Sequence, residues 1–274
     1  MASPLRRTVR SPTPPRAAMA RSIAELPPPS LSGFTPAQIA FAVGAWPMRA
    51  AEELRSALIF RALTSAARGV PALAAWTERF AAMVADEIRH TRLCAAIGAQ
   101  LGAPPIRYDA APVRARLAGL PDPTRRAAAI LLVEAAIGET ISTMLFRAGR
   151  RGATEPLTRA ALTLIVADEV RHQRNGWAGL HALWPFLSDD DRRWLQDEAA
   201  GGLGAVERRI ALPALRWLEA GTPFDPAHAA LGVLPPETRV DAFYAAVERL
   251  VIPRLTALGL DGARAWRDRY RRTD

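Results

Sequence analysis

The sequence predicts an all-α protein: a four-helix bundle built from a duplicated helical hairpin, plus additional C-terminal helices. Three observations predict it. The heptapeptide Val-Ala-Asp-Glu-Ile-Arg-His over residues 84–90 recurs over residues 166–172 with one conservative change, Ile88 against Val170. Helical hydrophobic periodicity dominates the chain from residue 36 onward, with no convincing alternating strand. Half of the residues are hydrophobic, aromatics are sparse and alanine is abundant, a composition that suits close-packed helices.

The elements follow in order. Residues 1–35 are rich in Pro, Ser and Arg and are expected to form a disordered, mobile tail. Thr35-Pro36 then signals a helix start, Thr as N-cap and Pro in the first turn. The first long helix is expected from about 48 to 67, entered through a short helix broken at Pro47 and ended at Gly69. The second is expected from 71 to 101, ending at Gly102 before Pro104 and Pro105. A looser stretch leads through Tyr108 to Pro123. The third helix is expected over 124–149 and the fourth over 155–183, with glycines and prolines at the breaks. A fifth should start at Ser188, where Asp189, Asp190 and Asp191 suit the positive end of a helix dipole. Two more are expected within 236–272. Residues 36–185 would then be the bundle, and 186–274 a helical extension packed on it.

The duplication reaches beyond the heptapeptide. Residues 53–62 and 139–148 share Glu, Ser, Phe, Arg and Ala at the same offsets. The shift is 139 − 53 = 86 in this helix and 169 − 87 = 82 in the next, so about one helical turn is lost in the second hairpin. Such a bundle has a pseudo-twofold axis between its halves.

Each heptapeptide contains Glu-x-x-His, which puts Glu87 with His90, and Glu169 with His172, on one helix face. The repeat aligns Glu53 with Glu139. A Glu-x-x-His from each of two helices and one Glu from each of two others is the ligand set of di-iron carboxylate bundles. Four carboxylates neutralise two divalent irons, and two imidazoles leave positions open for oxygen. The expected ligands are therefore Glu53, Glu87, His90, Glu139, Glu169 and His172, around two Fe ions, with Mn/Fe or di-Mn pairs left open. Glu52 is the alternative to Glu53. Glu134 is the alternative to Glu139; it lies about 140° away on a regular helix, so only one of the two can face the site. Glu134 is otherwise a buried acid behind the ligands. Asp86 and Asp168 are expected to orient the histidines, the histidine of the opposite half being one option for each, and Arg89 and Arg171 to pair with nearby acids.

Other candidates have plainer readings. Cys94, one turn past His90, reads as a small core residue. His181 and His228 lack repeat partners. Trp177, Trp184 and Tyr108 read as packing, and Phe60 and Phe146 as core filling or the wall of a cavity.

Composition excludes several classes. Cys94 is the only cysteine, so a disulfide framework and cysteine-ligated metal domains are ruled out, and a cytoplasmic location is expected. No secretory signal is recognised and no run of 18 apolar residues is present, so no membrane span is expected. All 36 basic residues are arginine and the net charge is +9. The arginines are scattered and densest at the termini, so nucleic acid is not an expected partner.

On these residues the chain resembles the ferritin-like superfamily of di-iron carboxylate proteins, which implies a left-handed four-helix bundle with a long crossover between helices two and three. Within it, the doubled Asp-Glu-x-Arg-His and Gly138-Glu139-Thr140 are similar to bacterial ferritin-like domain proteins without an assigned reaction. The chain also resembles p-aminobenzoate N-oxygenase in size, but that family has a further histidine four residues before the last Glu, where this chain has Ile165. The resemblance implies a di-iron oxidoreductase that uses oxygen or peroxide on a small-molecule substrate. An external electron donor is expected, since no flavin or nicotinamide fingerprint is present, and a homodimer is one assembly it allows. The alternative is an iron-handling ferroxidase.

Overall fold

The structure, a computed structural model, describes residues 26–271. The expected Pro/Arg-rich tail therefore lies outside the described residues up to position 25. Its last part, 26–35, is not loose: Ser30 N donates to Glu155 Oε1, and Leu26, Leu31 and Phe34 pack on a core cluster.

Helix α1 is Pro36–Arg68. Thr35 and Gln38 close its start as a reciprocal capping box. The expected break at Pro47 does not occur, and α1 runs through it. A helix-interior proline costs about 3 kcal/mol by losing a hydrogen bond. Packing offsets that here. The proline ring rests on Gly98 of α2 (Thr77–Gln100), where a Cβ would sit 3.4 Å from Pro47 Cδ. Trp46 and Ala50 bury beside Leu93, Cys94 and Ile97 of α2.

A 3-10 turn, Pro71–Trp76, joins α1 to α2, and the crossover beyond α2 contains a short α3, Ala111–Ala118, in the stretch expected to be loose. Helix α4, Pro123–Gly152, departs from regular geometry over Ile130–Gly138, which form a π-helical segment. Helix α5 is Pro156–Leu183, capped by the Glu155 carboxylate on the Leu157 and Thr158 amides. The connector is 69–76 in the first hairpin and 153–155 in the second, which accommodates the difference between the 86- and 82-residue shifts. Helices α1, α2, α4 and α5 form the bundle, and no strand is present among the described residues.

By length and hydropathy α4 could cross a membrane, despite Glu134 and Glu139. Its residues 130–137 are instead all buried in the protein core. It is the central helix of the protein, covered by α5 on one side and by α6 (Asp189–Glu219) on another.

The C-terminal extension completes the molecule with α7 (Ala227–Ala230), α8 (Pro236–Ala246), a π turn at Val247–Val251, α9 (Ile252–Leu258) and α10 (Gly262–Arg267). Glu207 of α6 ties down the end of the chain. Its carboxylate accepts from Tyr244 and Tyr270 hydroxyls and from Arg269.

Candidate metal centre

Six of the sequence-predicted side chains converge in the middle of the bundle. Glu53, Glu87, His90 and Glu169 present ligand atoms within 4.8 Å of one another, and so do Glu87, Glu139, Glu169 and His172. The two groups share Glu87 and Glu169, and each adds its own glutamate and histidine. Two groups of potential ligands thus share two carboxylates. All six residues are buried.

Each histidine shows one ring nitrogen to the acids. His90 Nδ1 lies 3.4 Å from Glu53 Oε2 and 3.5 Å from Glu169 Oε1. His172 Nδ1 lies 2.9 Å from Glu87 Oε1, without an aligned hydrogen bond. The other nitrogens face outward and cross between halves: His90 Nε2 meets Asp168 at 3.0 Å, and His172 Nε2 meets Asp86 at 3.1 Å. Arg89 and Arg171 each pair with both aspartates, closing an alternating ring of charge outside the histidines.

The donor set fits metal ions. Glu87 Oε1 and Oε2, Glu139 Oε2 and both Nδ1 atoms are buried and have no hydrogen-bond partner. Buried polar atoms are otherwise nearly always satisfied, and here the orphans point at the same space. Their proton affinities carry the same message. Burial, with Glu53 alongside, pushes Glu87 up to about 7. Burial pushes Glu139 up to about 8 and, with Glu139 beside it, raises Glu169 well above the carboxylate range. Burial acts the same way on Glu53, but His90 outweighs it and holds that group below its ordinary value. Burial opposes a charge on His172, yet Asp86 and Glu87 prevail and push it up to about 10. His90 is likewise raised against burial by Asp168, Glu53 and Glu87. Without a cation, the cluster can be buried only by holding protons.

Glu134 belongs to a different network. Arg55 grips its carboxylate with contacts of 2.9–3.0 Å, and Arg116 adds one of 2.8 Å. It is not among the clustered ligand groups. Even so, Glu134 and Glu139 line one cavity. The π segment between them favours this, because its i→i+5 hydrogen bonds bring residues five apart toward one side. Glu52 also lines this cavity but lies outside the clustered ligand groups, pairing with Arg209 at 3.4 Å.

That cavity has a volume of about 450 Å³ and reaches Glu53, Glu87, Glu139 and Glu169. Its apolar lining includes Leu145, Phe146, Val206, Ile210, Val233 and Leu234, so the C-terminal extension supplies part of the wall. Its polar lining includes Arg49, Arg55, Arg209 and Arg239. Phe146 thus lines the cavity, whereas Phe60 is fully buried with its edge toward His172. Cys94 is buried and its thiol is pushed up by burial. Trp177 packs in the core and donates to Thr140 Oγ1, next to Glu139. His228 stacks on Phe41 with ring centroids 4.1 Å apart.

The cavity arginines were not singled out in the sequence. A signal existed for Arg49, which sits one turn before Glu53 on the same helix face. None existed for Arg239, which comes from outside the repeat.

The family model described as P-aminobenzoate N-oxygenase AurF matches residues 57–251. The match takes in Glu87, His90, Glu139, Glu169 and His172, starts just after Glu53, and includes most of the C-terminal extension. Among curated proteins none matches the chain. Ile165, four residues before Glu169, is fully buried among apolar side chains. Six side chains converge, and no histidine stands at that seventh position.

Proposed function

The chain belongs to the AurF family of p-aminobenzoate N-oxygenases, which are di-iron, ferritin-like enzymes, and on that premise we propose that it oxidises a small organic substrate with dioxygen. An aromatic amine is the substrate class the family supports. The observation that carries the reading is the pair of ligand groups sharing Glu87 and Glu169 at the wall of a cavity large enough for a substituted benzene ring.

Glu53 with His90, and Glu139 with His172, would each hold one iron, and Glu87 and Glu169 would lie between the two. Bound there, the irons supply the redox chemistry that reduces dioxygen. The protein's own groups do the rest. Asp168 and Asp86 fix the histidine rings so that Nδ1 faces inward. The apolar wall at Leu145, Phe146, Val206 and Ile210 excludes water and seats the ring. Conversion of an amine to a hydroxylamine consumes one dioxygen, two electrons and two protons, and yields one water. An external reductase would deliver the electrons.

The test is to load the purified chain with ferrous iron, count iron per chain, and follow oxygen uptake with a panel of aromatic amines under labelled oxygen. Two irons per chain and one labelled oxygen atom in an amine-derived product are expected. A fully iron-loaded chain whose oxygen uptake and products are indifferent to every amine and related ring substrate sinks the reading.

A further inference from the structure

A second, smaller cavity adjoins the one at the di-metal cluster. It measures about 170 Å³ and lies under the crossover that carries α3. Its apolar lining is Ile59 of α1, Val113, Leu117 and Leu120 of the crossover, and Ala129 and Ile130 of α4. Of these, Ile59, Val113, Ala129 and Ile130 are buried. Three charged groups complete the lining, and they are bound to one another. Arg55 holds the Glu134 carboxylate with contacts of 2.9–3.0 Å, and Arg116 holds it at 2.8 Å. Arg55 and Glu134 also line the larger cavity, so this ion pair is a partition common to both. Arg116 stands at the other end, its side chain 42% exposed, which puts that end of the cavity near solvent.

Protein interiors rarely keep a void larger than a water molecule, because unfilled volume forfeits packing. A longer side chain at Val113 or Ala129 would fill this one. The chemistry of its walls narrows the occupant. The charged groups satisfy one another, so an ionic ligand finds no free partner there. Sites for organic ligands ordinarily start at about 300 Å³. Apolar cavities of about 150 Å³ stay dry and take up small apolar guests such as xenon. Dioxygen is a guest of that kind. A ring that fills the larger cavity closes that way to a second molecule. The partition discriminates as well. Parting Arg55 from Glu134 to admit an ion would leave enclosed charges unmatched. A diatomic gas needs only the brief fluctuations of side chains and loops.

We propose that the smaller cavity is a binding site for dioxygen and the anteroom through which it reaches the di-metal cluster, separate from the way in for the organic substrate. The identity of the gas rests on the oxidation reading; the preference for small apolar guests does not. Val113 and Leu117 set the width of the anteroom, and the Arg55–Glu134 pair keeps ions from following the gas.

Xenon probes the site and oxygen probes the route. Crystals of the iron-loaded chain under xenon pressure should show anomalous scattering from xenon among Val113, Leu117 and Ile130. Val113→Phe and Leu117→Phe should each abolish it. The same three proteins, loaded with ferrous iron and free of any amine, are mixed with buffers of stepped oxygen concentration, and iron oxidation is followed optically. The second-order rate constant with oxygen should fall at least about tenfold in each variant. Iron per chain, melting temperature and the calorimetric affinity for aniline should stay at wild-type values, because neither side chain lines the larger cavity. A merely structural role would move melting temperature or iron content instead. Leu117 is only half-buried, so its variant is the milder of the two, and the xenon result on wild type stands whether or not a variant folds. No xenon in the smaller cavity, or a wild-type oxygen rate in a variant that no longer takes xenon, overturns the proposal. Failure to oxidise any amine would sink the oxidation reading and leave both measurements in force.

Discussion

At the scale of single residues, the site is a problem of charge placement. Four carboxylates and two imidazoles are brought out of water, and each imidazole is held from behind by an aspartate of the opposite half. A carboxylate on the outer nitrogen fixes the tautomer and makes the inner nitrogen a better donor. Asp86→Ala and Asp168→Ala should therefore each weaken metal affinity about 10- to 100-fold, read as iron retained per chain against a competing chelator. A variant that holds two irons as tightly as wild type would show that the aspartates serve only the arginines around them. The six converging side chains were legible because a duplication repeats function along with fold. The heptapeptide gave four of them, and the offset between halves gave Glu53 and Glu139. Arg239 was illegible for the complementary reason: it has no copy, and its position depends on where the C-terminal extension folds back.

At the scale of elements, the geometry that matters most is the π segment of α4. It was not legible, because nothing in the apolar stretch of residues 130–137 distinguishes five-residue from four-residue hydrogen bonding. Only contact with another helix does. Gly176 of α5 lies so close that a Cβ there would sit 2.1 Å from the Ala135 carbonyl oxygen, within the π segment. No backbone atom can give way by that much without α5 or the π turn moving. Gly176→Ala should lower stability by about 1–3 kcal/mol or more, a fall of roughly 2–10 °C in melting temperature. Because Gly176 follows His172 on α5 while the segment leads into Glu139, iron content should fall too. Melting curves and iron assays on one preparation check both, and an unperturbed variant would mean that the two helices are not in this contact. The same dependence on neighbours explains Pro47. Taken alone it breaks a helix; against Gly98 it sits inside one. The short α3 escaped notice for lack of length, since an eight-residue helix carries little periodic pattern.

At the scale of the whole molecule, metal binding at this cluster would be linked to folding. The unfolded chain holds its glutamates near 4.5 and His172 near 6.5, whereas the folded, metal-free chain holds Glu87 at about 7, Glu139 at about 8 and His172 at about 10. All three are raised on folding. What they contribute is complete below the unfolded values and is lost as pH climbs through the folded ones. The acids that folding lowers, Asp86, Asp168 and Glu53, lose their contribution only on acidification below the ordinary carboxylate range. They are therefore nearly constant between about pH 5 and 8. The chelator-treated chain should accordingly melt at progressively lower temperature from about pH 5 to 8. Ferrous iron, added without oxygen, replaces those protons and binds more tightly as pH rises. At a hundredfold excess over its dissociation constant each bound ion should add about 2.7 kcal/mol and flatten the decline. Scanning calorimetry at stepped pH, with and without iron, separates the two curves. A metal-free chain whose melting temperature is level or rises across that range, or one that iron leaves unmoved, would show that the buried acids are neutralised by something other than protons and metal.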